Sequence, residues 1–106
     1  MLLKINVTQE DIDKGIQSDS MKCPLAIAIQ KELDKNNIKR IVSVNISFFM
    51  LITPDINKSD VFSNTKEMKK FVSSYDSIIQ KEYFHYANKH AIIHPFNFQI
   101  EIPDER

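Results

Sequence analysis

The sequence predicts one α+β domain: a small antiparallel or mixed β-sheet of three to five strands, with about three helices packed mainly on one face. Three observations predict it. Segments near the start, middle and end of the chain alternate apolar and polar residues with a period of two. Other segments repeat apolar residues at helical spacing. A chain of 106 residues that is 42% hydrophobic has material for one compact core and not for two, so residues 1–106 are read as a single domain.

Leu3, Ile5 and Val7 alternate with Lys4 and Asn6, which marks a half-buried first strand. Thr8 is suited to an N-cap, and Asp11 three residues later forms a capping box with a shorter acid than usual. A short helix is expected from about Gln9 to Ile16, burying Ile12 and Ile16, with Gly15 placed to end it early. Gln17 to Lys22 read as a polar loop. Cys23-Pro24 opens a second helix, because proline fits the first helical position, where no N–H is needed. Its buried stripe is Leu25, Ala28, Ile29 and Leu33, and the polar run Asp34 to Asn37 ends it, with Asn suited to a left-handed cap.

The strongest strand signal follows. Val42, Val44, Ile46, Phe48, Met50 and Ile52 are expected on one face and Ser43, Asn45 and Ser47 on the other, until Phe49 and Leu51 make both faces apolar. The pattern fits one long strand, or two strands with a bend near Asn45 to Ser47. Pro54 stops it. Asp55 to Asn64 read as a loop with Val61-Phe62 as a short edge strand. Thr65 caps a third helix with the stripe Met68, Phe71, Val72, Tyr75 and Ile79. Gln80 to His94 fit either its continuation or a separate insertion. Phe96, Phe98, Ile100 and Ile102 then alternate with Asn97, Gln99 and Glu101 in a last strand, and Pro103 to Arg106 form a tail.

Composition argues against several function classes. Fourteen basic residues balance fourteen acidic ones, against an obligate nucleic-acid binder and against an acidic DNA mimic. A single cysteine forms no intramolecular disulfide and no multi-thiolate zinc site. The one glycine, Gly15, leaves no phosphate-cradling loop. No signal peptide is read at Leu2-Leu3, which Lys4 and Asn6 follow at once. The longest apolar-rich run, Ile46 to Ile52, falls far short of a membrane span. A cytoplasmic protein, in the host cell if viral, with no cofactor and no membrane association, is therefore expected.

Few residues are candidates for chemistry. Cys23 stands at a helix N-terminus beside Lys22, and with Ser20 these define a candidate site for a reactive thiol or a small ligand. The competing reading is a buried cysteine packed beneath the helix, and Asp19 opposes an anion there. His90 and His94 have the spacing of a helical metal pair, near His85 and Glu82, but Pro95 makes His94 a poor helix residue and no metal site is assigned. Ser18, Ser20, Ser73 and Ser74 lack a nucleophile elbow. Glu10, Asp11 and Asp13 suit the first turn of a helix better than a catalytic pair. Tyr83, Phe84, Tyr86, Ile92 and Ile93, interleaved with Lys81, Lys89 and the histidines, have an interface-like composition; the competing reading is an extension of the core. Tyr83, Phe84, Tyr86 and His90 are taken as interface candidates. Phe49 joins them, because with Leu51 it hints at a second buried contact with that segment or with another chain.

Two blocks carry a resemblance. Val7-Thr8-Gln9-Glu10-Asp11-Ile12 with Gly15, and Cys23-Pro24-Leu25-Ala26-Ile27-Ala28-Ile29, resemble a group of short phage and prophage proteins with the pattern V-T-x-E-[DH]-I-x-x-G followed by C-P-[IVL]-A-[LI]-A-[IL]. Phe71-Val72-Ser73-Ser74-Tyr75-Asp76 is similar to a later F-[IV]-x-x-[FY]-D element, and Pro95-Phe96-Asn97-Phe98 to a P-F-x-F ending. The resemblance spans somewhat over half the chain and implies that residues 77–94 are a family-variable insertion. It implies a viral or mobile-element origin and no particular chemistry.

The expected function is that of a non-catalytic phage or mobile-element accessory protein that binds a host or phage protein, inhibition of a bacterial defence system being one such role. A homodimer is open. The alternative is a small-molecule or nucleotide binder, acting as a sponge or sensor at the loop before the second helix; an enzyme using Cys23 ranks third.

Overall fold

The computed structural model describes residues 1–16, 19–54, 58–80 and 94–103, with the side chains of 76–80 excepted. The chain order is β1 (Leu2–Val7), α1 (Gln9–Lys14), α2 (Pro24–Lys35), β2 (Ile41–Val44), β3 (Phe48–Ile52), β4 (Ser59–Ser63), α3 (Lys66–Gln80) and β5 (Phe96–Glu101). The fold is α+β. Its strands are antiparallel throughout and divide into a two-stranded sheet, β1-β5, and a three-stranded sheet, β2-β3-β4.

The first and last strands pair along their whole length, with Leu3 opposite Ile100, Ile5 opposite Phe98 and Val7 opposite Phe96. Alternation buries Leu3, Ile5, Val7, Phe98 and Ile100 and exposes the polar residues between them. Helix α1 begins where the capping box is expected. The Asp11 N–H donates to Thr8 Oγ1 (3.2 Å), and the Thr8 N–H donates to Asp11 Oδ2 (3.0 Å). It stops at Gly15, so Ile16 falls outside the helix and is exposed rather than buried. Gly15 has a φ of −65°, which any residue adopts. What requires glycine is space: a Cβ there would lie 2.5 Å from Cδ and Cγ of Pro24.

Helix α2 packs on both β1 and β2 and joins the two sheets. Leu25, Ala26, Ile29 and Leu33 are fully buried. Its end is a Schellman motif centred on Asn37, whose φ of 59° is left-handed. The Ile38 N–H donates to the Leu33 carbonyl (2.9 Å) and the Asn37 N–H to that of Asp34 (3.0 Å).

The apolar run 42–52 is a hairpin and not one strand. Asn45 donates its N–H to the Phe48 carbonyl (2.8 Å), and Ile46-Ser47 turn the chain. This corrects the expectation that Val42 through Ile52 share a face. Across the hairpin Val42 meets Leu51 and Val44 meets Phe49, so the buried side moves from even to odd positions. Phe48, Met50 and Ile52 go to the other face. Asn64 fixes the turn, its Nδ2 donating to the carbonyls of Asn45 (2.7 Å) and Ile46 (3.1 Å). The expected edge strand at Val61-Phe62 is β4, longer at both ends. Arg40 clamps the far end of this sheet, donating to the Leu51 carbonyl (2.9 Å) and to Asp60 Oδ2 (3.0 Å).

Thr65 caps α3, its Oγ1 accepting from the Met68 N–H (3.2 Å). Met68 and Phe71 are buried, Phe71 stacks on Tyr75 and packs on Phe96, and Tyr75 Oη donates to the Gly15 carbonyl (2.9 Å). Among the described residues no helix is long and apolar enough to cross a membrane.

Candidate functional site

The loop before α2 is built on Asp19. Its Oδ1 accepts from the N–H groups of Met21 and Lys22 (both 3.0 Å), and its carbonyl accepts from the Cys23 N–H (2.9 Å). The Lys22 carbonyl takes the Ile16 N–H (2.8 Å), and the Ser20 carbonyl takes the Val44 N–H (2.7 Å). Of the expected polar loop, Gln17 and Ser18 lie outside the described residues, and Asp19 to Lys22 form a bracket that ties α1, α2 and β2 together. The Asp19 carboxylate already holds the Met21 and Lys22 N–H groups and places a negative charge beside the start of α2, which disfavours an anionic ligand there.

Cys23 is the N-cap of α2 with no side-chain capping bond, and it is buried. It borders a cavity of about 220 Å³ lined also by Asp19, Ser20, Val44, Asn45, Ile46 and Val72. Ser20 and Cys23 are thus brought together at one cavity, while Lys22 is exposed and is not among the lining residues. A second, shallower depression of about 410 Å³ lies over the β1–α1 junction, between Thr8 and Phe96.

Phe49 is not at a surface. It is 2% exposed and stacks on Phe62 with ring centroids 5.0 Å apart, so its assignment as an interface residue is corrected to core. The hairpin is the reason, since it turns Phe49 and Leu51 inward beside Val42 and Val44. Tyr83, Phe84, Tyr86, His85 and His90 lie outside the described residues. His94 is exposed, with Nδ1 3.3 Å from the Pro95 carbonyl. Among the described residues no group of three His, Cys, Asp or Glu side chains could hold a metal ion.

A surface that the sequence reading did not single out is the outer face of the three-stranded sheet. Phe48, Met50 and Ile52 of β3 lie there beside Val61 of β4 and Ile41 of β2, with Ile46 at the hairpin tip. Val61 is 62% and Ile46 54% exposed. The signal that could have found this face was the turn at Ile46-Ser47, which inverts the strand phase. No glycine marks it, and so the run fits one long strand as well as two strands with a bend near Asn45 to Ser47, of which the second is found.

No family model, no curated protein and no solved structure matches the chain.

Proposed function

We propose that the chain is a non-catalytic binding protein that acts by covering a surface of another protein. The observation that carries this reading is the apolar outer face of the β2-β3-β4 sheet, where Phe48 and Val61 stand exposed around the half-buried Met50 and Ile52, with Ile46 exposed at the adjoining hairpin tip. Exposed contiguous apolar surface of this kind is characteristic of interaction sites. The resemblance to short phage proteins makes a host or phage protein the natural partner, with inhibition of a defence system as the corresponding role. Co-purification of the tagged chain followed by mass spectrometry identifies the partner. Ile46→Lys and Phe48→Lys are then expected to weaken its capture together, with circular dichroism unchanged. A partner retained in full by the double variant would end the reading for this face. Joint replacement of Tyr83, Phe84 and Tyr86 tests the other candidate surface.

The second reading, a small-molecule binder, rests on the cavity beside Ser20 and Cys23. At about 220 Å³ it is smaller than the roughly 300–1,000 Å³ usual for organic ligands, and Asp19 disfavours a nucleotide phosphate. Thermal-shift screening decides it, and uniformly flat responses would eliminate it.

A further inference from the structure

The sheet edges are treated very differently. In β2 both outward-facing N–H groups, those of Val42 and Val44, are occupied. Gln30 of α2 acts as a substitute strand, its Nε2 donating to the Arg40 carbonyl (2.8 Å) and its Oε1 accepting the Val42 N–H (3.0 Å). The Ser20 carbonyl takes the next outward N–H, that of Val44. The edges of β1 and β5 carry charge at their outward-bonding positions, Lys4 and Glu101 respectively, a common way to discourage strand addition.

Among the described residues strand β4 has neither protection. The Thr53 N–H bonds the Lys58 carbonyl and the Asn64 N–H bonds the Ser47 carbonyl, so with the observed register Asp60 and Phe62 point their backbone groups at β3. The N–H and C=O groups of Ser59, Val61 and Ser63 face outward, and all three residues are exposed. Their side chains share the outer face of the sheet, and none is charged.

We propose that β4 pairs with β4 of a second copy of this chain, antiparallel about a two-fold axis at Val61, to make one continuous six-stranded sheet. The outward positions read Ser-Val-Ser, the same in both directions. Val61 therefore meets Val61 of the second copy, and each Ser59 meets a Ser63, each pair exchanging N–H···O bonds both ways. The apolar row Met50–Val61 continues across the axis into its own copy. Charge is compatible as well. Lys58 falls opposite Asn64, and Asp60 falls opposite Phe62 while held by its own Arg40. The same operation on β1 would set Lys4 against Lys4. An interface of this length is small, so the dimer forms reversibly.

The inference shares Val61 with the partner reading but does not rest on it, because it concerns the backbone edge of β4 and a second copy of the chain. The Ile46→Lys and Phe48→Lys variants test the face, while the Val61 variants test the edge. Sedimentation velocity of the full chain over a concentration series tests it. A shift from the 12.4 kDa monomer toward twice that mass is expected. Val61→Pro removes an N–H that β3 does not use, and Val61→Glu sets two carboxylates face to face; each is expected to leave a monomer with unchanged circular dichroism. Val61→Cys is expected to cross-link two chains on mild oxidation, since the chain's own Cys23 is buried. A wild-type chain that stays monomeric throughout would overturn the proposal. So would a dimer that survives Val61→Glu, a Val61→Cys chain that does not cross-link, or a monomer whose β4 edge takes up an extended peptide of another protein.

Discussion

At the scale of single residues, Gly15 and Gln30 do work that their sequence positions only half announce. Gly15 reads as a helix stop, and α1 does end there, yet its backbone is ordinary and the constraint is the pyrrolidine ring of Pro24. Gly15→Ala is expected to destabilise the fold by about 1–3 kcal/mol, because proline in the first turn of a packed helix gives way only by moving that helix. A urea denaturation midpoint measures it. Gln30 looks like an ordinary polar residue on the solvent side of α2. In the fold it serves the N–H of Val42 in β2 and the carbonyl of Arg40 just before that strand. Gln30→Ala is expected to cost about 1–3 kcal/mol for the backbone groups left bare. Amide exchange should locate the loss, with Val42 becoming faster than its β2 neighbours.

At the scale of elements, local sequence explains starts and stops better than it explains faces. Thr8, Asn37 and Thr65 each cap the helix end they are placed to cap. The Asp11 carboxylate does more than close the capping box. Its side chain is 2% exposed, and its Oδ1 receives Lys31 Nζ at 2.7 Å, which ties α1 to α2. Lys31 is itself half-exposed, so Lys31→Ala should cost more than the roughly 1 kcal/mol of a surface pair and less than the roughly 3 kcal/mol of a fully buried one. Chemical denaturation against the wild type gives the figure. The β2–β3 turn depends on a residue distant in sequence, Asn64. Its Nδ2 holds two turn carbonyls, while its buried Oδ1 has no hydrogen-bond partner among the described residues. Asn64→Ala is expected to loosen the turn and lower stability by about 1–3 kcal/mol, with faster exchange at Asn45 and Phe48.

At the scale of the whole molecule, α2 holds two small sheets that would be marginal alone. Phe49, expected at an interface and found in the core, offers a sharp contrast with Val61. Phe49→Ala is expected to cost about 3–5 kcal/mol in the folded chain, whereas Val61→Ala should fall within about 0.5 kcal/mol. Thermal and urea unfolding of the two variants side by side would show it. A small effect at Phe49 would mean that the hairpin does not seat its ring against Phe62.

The α+β class, the alternating faces of β1 and β5, and the starts of α1, α2 and α3 are legible in the residues, because side-chain period and capping chemistry act over a few residues. The tertiary structure settles that the strands split into two sheets and that the 42–52 run is two strands rather than one. It also settles that Gln30 and Ser20 cover one sheet edge while, among the described residues, the β4 edge is uncovered. Those outcomes depend on which backbone groups meet across long sequence separations. No local pattern encodes them when the turn contains neither glycine nor proline.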